Sequence, residues 1–345
     1  MKKYDINGSI VSAFGLSGEV TVDSTALATD EEPFGMDVAI SGSYVYVSWY
    51  DDPTAVNTAI KVGKYALSNG ALDSGFGISG VLTAANTSKL ETDPLITLDP
   101  AGTNVYVFYS ELETNFSDAR VLLNKHAVSD GAIVTGFGTA GILEVYNPTS
   151  KLTIPEEIEV DTSGNLYISY RELTAAPALD TNRLFMKKAN SSGVIDTSFA
   201  SDGVLELSSD ATEQLRVDTI LDASANIYTL ESETATSNYE YYSYKYDSSG
   251  ALDTSFGTSG SILVATGQAS LFGALTRDTS GNMYYAYTGS GINQDILLAK
   301  WGNSTRYNAG GTFVSSTIDS GSAIVAYATL AWTHNLPTGA ILRFQ

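Results

Sequence analysis

The chain is poor in three residue types on which much protein chemistry depends. Its 345 residues include no cysteine, two histidines and eight prolines. The lack of cysteine excludes disulfides, thiolate chemistry and cysteine-based zinc sites. The two histidines, His126 and His334, fall in different parts of the sequence, so we expect no zinc site. No stretch approaches the roughly 20 consecutive apolar residues of a membrane span, so we expect no membrane insertion.

Positive charge is also scarce. There are 18 lysines and arginines against 39 acidic residues, which gives a net charge of −21. Such a surface repels phosphate backbones, and we therefore expect no nucleic-acid binding. The first residues, MKKYDINGSI, lack the apolar segment of a signal peptide. They begin in the middle of a repeat, and we expect a mature segment or a fragment of a longer chain.

Tyrosine, glycine and alternating polar and apolar residues are abundant. The chain has 21 tyrosines and 31 glycines, and 43% of its residues are apolar. In LYISYRE (166–172), Leu166, Ile168 and Tyr170 share one face, which is the alternation of a β-strand. No sustained helical period occurs. The composition predicts an all-β protein with many turns.

The stretch ALDTSFGTSG (251–260) belongs to an internal repeat. Its phenylalanine recurs at separations of 62, 61, 62 and 57 residues. An Asp/Gly turn followed by a tyrosine-rich strand, as in DTSGNLYISY (161–170), keeps the same period, and so does a basic residue usually followed by an aromatic one. The motif phenylalanines are Phe14, Phe76, Phe137, Phe199 and Phe256. The basic pairs are Lys3-Tyr4, Lys64-Tyr65, Lys125-His126, Lys187-Lys188, Lys245-Tyr246 and Lys300-Trp301.

Each repeat contains four strand-like segments, A to D. Strand A ends in Asp, strand B carries the tyrosines, strand C the basic pair, and strand D follows the phenylalanine motif. Four antiparallel strands in each repeat predict the blade of a β-propeller. GALDTSFGTSGSI (250–262) and GALDSGFGISGVL (70–82) resemble the delta-60 repeat of a bacterial β-propeller family. The resemblance covers about residues 1–302, and it implies the same fold.

The repeats predict a single domain over residues 1–345. Five A-B hairpins are clear, and a shortened sixth is expected in TFVSSTIDSGSAIVAYATL (312–330). Residues 303–345 are thus a degenerate closing repeat or, alternatively, a small C-terminal β segment. Because the chain opens on strands C and D, the N-terminal strands would complete the last blade and close the ring. We predict six blades, with five or seven as the alternatives.

Repetition also indicates where function lies. Residues present in every blade most simply stabilise the blade, so we expect the phenylalanine and strand-B tyrosines to pack, and the basic residue to pair with an acid or face solvent. The B-C loops and D-A connections differ between repeats, and variable loops on a rigid scaffold commonly bind ligands. The candidate ligand-binding residues on this face are Trp49, Asp51, Asp52, Glu111, Glu113, Arg171, Glu172, Glu231, Glu233, Trp332 and His334.

No sequence motif of a hydrolase nucleophile, a P-loop or a zinc protease occurs, so we expect no enzyme, no metal and no cofactor. The leading hypothesis is a non-enzymatic extracellular recognition or adhesion module of a bacterial surface or secreted protein. Its partner would be a glycan or a surface protein of another cell. One alternative is a structural spacer or a trimeric fibre tip, which would be a homo-oligomer. Another is a hydrolase or lyase that uses acids at the channel mouth.

Overall fold

The fold consists of β-strands. The computed structural model describes residues 1–23, 35–51, 58–114, 117–174, 182–208, 217–235, 238–268, 273–288 and 296–302. Within these ranges the strands form four sheets of four strands and one of three, and no helix is present. It follows that the described part of the chain contains no helix able to cross a membrane.

The strands are numbered in chain order. The first sheet contains β1 (Met36–Ser41), β2 (Tyr44–Asp51), β3 (Ala59–Ala66) and β4 (Val81–Ala85). The second contains β5 (Leu90–Leu98), β6 (Asn104–Leu112), β7 (Ala119–Ala127) and β8 (Ile142–Tyr146). The third contains β9 (Lys151–Val160), β10 (Leu166–Thr174), β11 (Asn182–Ala189) and β12 (Val204–Ser208). The fourth contains β13 (Val217–Leu221), β14 (Ile227–Ala235), β15 (Asn238–Tyr246) and β16 (Ser261–Gln268). The fifth contains β17 (Gly273–Arg277), β18 (Met283–Thr288) and β19 (Ile296–Trp301).

Each sheet is an antiparallel meander in which neighbours in sequence are neighbours in space. The first strands of consecutive sheets contact one another, β1 with β5, β5 with β9, β9 with β13 and β13 with β17. These strands therefore line a central channel, and the sheets radiate from it as the blades of a β-propeller. The predicted fold class is confirmed. The number of blades stays a prediction, because the expected sixth A-B hairpin lies outside the described residues.

Strand alternation builds the core between the sheets. In β6, Val105 and Val107 pack in the cluster shared with the first sheet, whereas Tyr106 and Phe108 pack in the cluster shared with the third. Successive side chains of a strand point to opposite faces of the sheet. A sheet that packs between two others is therefore apolar on both faces. This explains why the tyrosine strand reads as a nearly continuous apolar run.

The phenylalanine motif connects adjacent sheets, as expected. Phe76 is fully buried and packs edge-to-face on the strand-B residue Tyr46, with ring centroids 6.0 Å apart. The next residue, Gly77, has a φ of +61° and donates its N–H to the carbonyl of Asp130 in the next sheet at 2.9 Å. The same hydrogen bond joins Gly15 to Asn69, Gly138 to Ser192 and Ala200 to Ser249.

The recurring lysine also bonds to the following sheet. Lys125 Nζ donates to the carbonyl of Ser191 at 3.0 Å and lies over the Tyr106 ring. The predicted acidic partner is found in two repeats, as Lys64–Asp73 and Lys245–Asp253, both at 2.7 Å. In the third sheet the sequence alignment is wrong by one residue: Lys188, not Lys187, pairs in register with the strand-B residue Tyr167. The equivalent bonds run from Lys3 to Leu67, Lys64 to Val128 and Lys188 to Ser248.

The N-terminal residues 1–23 form isolated β-bridges beside the first sheet. Lys2 pairs with Glu19 in an antiparallel bridge, and Phe14 is buried like the other motif phenylalanines. Lys3 and Gly15 make the same bonds to the first sheet that later repeats make to their successors. These contacts are the ones that the predicted strand C position of the first residues requires.

A candidate active site in the central channel

The acids predicted to surround the channel mouth are engaged in ion pairs. Glu111 is buried at the end of β6 and lies 2.8 Å from Arg120 and 3.1 Å from Lys89. Glu113 lies 2.7 Å from the same lysine. Glu172, the matching residue of the third sheet, pairs with Lys151 and accepts a hydrogen bond from the Tyr146 hydroxyl. These side chains stabilise strand ends and do not form a free acidic ring.

A short segment that occurs twice in the sequence produces these ion pairs. The segment TSKL precedes strand A in both the second and third sheets, at 87–90 and 149–152. It places Lys89 and Lys151 beside their glutamates. The assumption that the D-A connections differ in every repeat is therefore wrong for these two. Arginines extend both networks across the sheet, as Arg120–Glu144 and Arg183–Glu206.

The remaining predicted site residues are similarly occupied or lie elsewhere. Trp49 is 6% exposed and donates its ring N–H to Asp23 at 3.0 Å, so it is not displayed for stacking on a sugar. Arg171 forms a buried ion pair with Glu156 at 3.0 Å. Glu231 is buried and accepts a hydrogen bond from Thr229, and Asp51 is half-buried at the end of β2. Asp52, Trp332, His334 and the side chain of Glu233 lie outside the described residues.

The channel wall carries acids that the sequence reasoning missed. Asp37, Glu157 and Asp218 occupy the same register position of strand A in three different sheets, facing Ser48, Ser169 and Leu230 of strand B. Glu159 lies two residues further along β9, on the same face as Glu157. The sequence signal for these acids is the alternation in PEEIEVD (155–161), which places acidic residues within a strand of the core.

Two of these acids satisfy backbone donors. Asp37 accepts hydrogen bonds from the N–H of Val38 at 2.7 Å and from that of Ile96, on β5, at 2.8 Å. Asp218 repeats the arrangement with Thr219 and with Leu275, on β17, at 2.6 Å. Strand A is the inner edge of its sheet, so its N–H groups need such partners. Burial nevertheless raises the pKa of both carboxyl groups.

The two glutamates have fewer donors. Glu157 accepts one backbone hydrogen bond, from Ile158 at 3.0 Å. The carboxyl group of Asp218, on the neighbouring strand β13, interacts with that of Glu157. Burial, and then the negative charge of Asp218, raise the pKa of Glu157 well above its usual value. The same two causes raise the pKa of Glu159 to about 7.

These glutamates face an open volume. A cavity of about 470 Å³ is lined by Glu157, Glu159 and Asp37, with Thr97 and Asp99 of the second sheet on its wall. Lysine, arginine and histidine are all missing from its described lining. No group of three or more histidines, aspartates or glutamates in the described ranges is arranged to hold a metal ion. The carboxyl groups on the wall can exchange protons with a molecule bound in the cavity.

Comparison with known proteins finds similarity in structure alone. No family model matches the chain, and no curated protein matches it. The structure of the α-L-arabinofuranosidase Arb93A from Fusarium graminearum with an iminosugar inhibitor is 11% identical, over 79% of this chain and 82% of that one, with a TM-score of 0.49. The polysaccharide lyase Uly1 is 10% identical, over 88% and 86%, at 0.46. The β-propeller domain of the trilobed protease from Pyrococcus furiosus is 8% identical, over 79% and 70%, at 0.41.

These comparisons contradict the expectation of a non-enzymatic module. Several of the similar structures are glycoside hydrolases and one is a polysaccharide lyase, so the fold is one that enzymes use. At this level of identity the likeness extends to the fold alone. The expectation of no enzyme was based on missing sequence motifs. Acids contributed by strands about 60 residues apart leave no contiguous motif, so missing motifs do not exclude an enzyme.

Proposed function

We propose that the protein cleaves glycosidic bonds, with Glu159 as the proton donor. The observation that carries the proposal is the position of Glu159. This glutamate is half-buried on the wall of an open cavity, and its pKa is raised to about 7. Such a group is substantially protonated near neutral pH and can act as a general acid. A neighbouring glutamate on the same strand face, Glu157, provides the second carboxyl group that glycoside hydrolysis requires.

The proposed reaction follows from the different surroundings of Glu159 and of Glu157 with Asp218. Glu159 gives its proton to the glycosidic oxygen as the bond from that oxygen to the anomeric carbon breaks. In this proposal Glu157 and Asp218 share one proton and so retain one negative charge. That charge stabilises the positive charge developing on the sugar and accepts the proton of the attacking water. The separation of the acid and base across a bound sugar decides whether configuration is retained or inverted.

The proposal includes a family and a location. Five ordered copies of the phenylalanine motif support membership of the delta-60 repeat β-propellers. A polymeric glycan as the substrate favours an extracellular or cell-surface location, where such polymers are encountered. The partner in this proposal is therefore the glycan substrate itself.

The test is sugar release from a panel of polysaccharides by the wild-type protein and by Glu159→Gln. The amide cannot transfer a proton, so we expect a loss of about 10²–10⁴-fold in rate. A 2,4-dinitrophenyl glycoside, whose leaving group needs no protonation, should lose far less. Because the protonated form is the active one, wild-type activity should fall as pH rises through 7.

Glu19→Gln is the matched control, since Glu19 is exposed and makes only a 3.6 Å pair with Lys2. It should keep wild-type activity. Absence of sugar release across the panel would contradict the proposal. So would a Glu159→Gln protein that is as active on polysaccharide as the wild type.

A further inference from the structure

The fourth sheet turns a polar face toward the third sheet, at positions where three other sheets are apolar. This face is formed by Thr219 of β13 with Thr229 and Glu231 of β14, which are all at most 1% exposed. Val217 and Ile227, on the same face, pack in the cluster shared with the third sheet. The residues at the same three positions are Ile96, Val107 and Tyr109 in the second sheet, Ile158, Ile168 and Tyr170 in the third, and Leu275, Tyr285 and Tyr287 in the fifth.

The three polar side chains are costly where they stand. A buried polar group costs free energy unless it is hydrogen-bonded, and a buried carboxylate costs more. Thr229 Oγ1 donates a hydrogen bond to Glu231 Oε1 at 2.7 Å. Thr219 is the register partner of Thr229, and its Oγ1 has no hydrogen-bond partner among the described residues. Such departures from an apolar core are expected at functional sites.

The opposite side of this interface carries Glu157. Glu157 of β9 and Ser169 of β10 are register partners, so their side chains lie side by side on one face of the third sheet. Tyr167, two residues before Ser169, packs in the cluster shared with the fourth sheet, so this face is directed toward Thr219. Ser169 Oγ is fully buried and also has no hydrogen-bond partner in the described part of the chain. Hydroxyl groups thus lie on both sides of the interface next to Glu157.

We propose that Ser169, Thr219, Thr229 and Glu231 form a proton relay behind Glu157. The inference rests on the proposed function, in which Glu157 with Asp218 accepts the proton of the attacking water. A hydroxyl group can accept one hydrogen bond while it donates another, and it reorients between partners.

In the relay, Glu157 gives a proton to the first hydroxyl, each hydroxyl passes its own proton to the next, and Thr229 gives its proton to Glu231. Glu157 is left as the carboxylate, and Glu231 becomes the carboxylic acid. The same steps in reverse return the proton when the product leaves. The channel wall therefore keeps its negative charge while the sugar is bound, although the four relay residues act only through Glu157 and do not contact the sugar.

The first test asks whether the Thr219 hydroxyl is hydrogen-bonded, and it does not depend on catalysis. Thr219→Val replaces this hydroxyl with a methyl group of similar size. The matched control is Thr153→Val, since Thr153 is also fully buried and donates to the Ala119 carbonyl at 2.8 Å. Loss of a bonded hydroxyl leaves its partners unsatisfied, so we expect both substitutions to raise the equilibrium constant of unfolding in urea about tenfold. A Thr219→Val protein as stable as the wild type, or more stable, would show that the hydroxyl has no partner and would overturn the proposal.

The second test measures kcat, KM and the solvent deuterium isotope effect on a polysaccharide that the wild-type protein cleaves. We expect Thr219→Val to lower kcat about tenfold or more with KM unchanged, and to raise the isotope effect, because proton transfer becomes rate-limiting. Thr219→Ser keeps the hydroxyl and should restore kcat. Thr153→Val should match the wild type in kcat and isotope effect, although it is destabilised.

The outcomes separate the relay from the proposed function. If Thr219→Val has the kcat and isotope effect of Thr153→Val, the relay is refuted and the proposed function stands. If the wild type cleaves no polysaccharide, the proposed function is refuted, and the relay falls with it.

Discussion

At the scale of single residues, the position after the motif phenylalanine shows how closely backbone geometry limits residue choice. Gly77 adopts a φ of +61°, and a Cβ there would stand 2.2 Å from the carbonyl oxygen of Val81. In the motif of the third sheet, between β11 and β12, the same position is Ala200, with a φ of +50°. An L-residue in this left-handed region is strained. The hydrogen bond to the next sheet is nevertheless kept, from Ala200 to Ser249 at 2.7 Å.

We therefore predict that Ala200→Gly stabilises the protein by about 1 kcal/mol, by removing this strain. The free energy of unfolding in urea measures it. Gly77→Ala is the reverse control and should destabilise, because its new methyl group meets backbone. If Ala200→Gly proved neutral or destabilising, the left-handed strain assigned to this residue would be refuted.

At the scale of elements, the lysine of strand C holds neighbouring sheets together. Lys125 has no acidic partner in its motif, because Val134 stands where other repeats have Asp. Its ammonium is buried, which lowers its pKa, and it bonds to the Ser191 carbonyl of the next sheet. A hydrogen bond from a charged donor in such a position contributes more than a surface ion pair.

Lys125→Met should therefore lower the free energy of unfolding by about 1–3 kcal/mol. The control is Lys61→Met, whose ammonium bonds to Thr83 at the exposed surface, and which should change stability by less than about 0.5 kcal/mol. Equal effects of the two substitutions in thermal or urea unfolding would contradict an inter-sheet role for Lys125.

At the scale of the whole molecule, short-range chemistry was predictable and long-range contacts were not. The Asp/Gly turns and the phenylalanine motif act within a few residues, so the sequence located the strands and the propeller fold. The strand A acids could not be recognised in the same way. Asp218 bonds to Leu275, 57 residues away, and the packing of consecutive sheets brings Glu157 to Asp218.

The same limit applies to the loop-face acids. The ion pairs of Glu111 and Glu172 could not be predicted because their basic partners, Arg120, Lys89 and Lys151, are distant from them in sequence or lie across the sheet. In a chain with a net charge of −21, few basic residues are available. They neutralise the strand ends and leave the channel wall acidic, which makes the channel the place where a proton is held near neutral pH.

Direct titration of Glu159 tests whether the channel wall holds a proton near neutral pH. With glutamate ¹³C-labelled at its side-chain carboxyl carbon, NMR spectra recorded across pH follow each glutamate, and the Glu159→Gln spectrum assigns the signal. We expect a midpoint near 7 for Glu159. A midpoint near the ordinary value of about 4.3 would contradict it, because the channel would then hold no proton to give to a glycosidic oxygen.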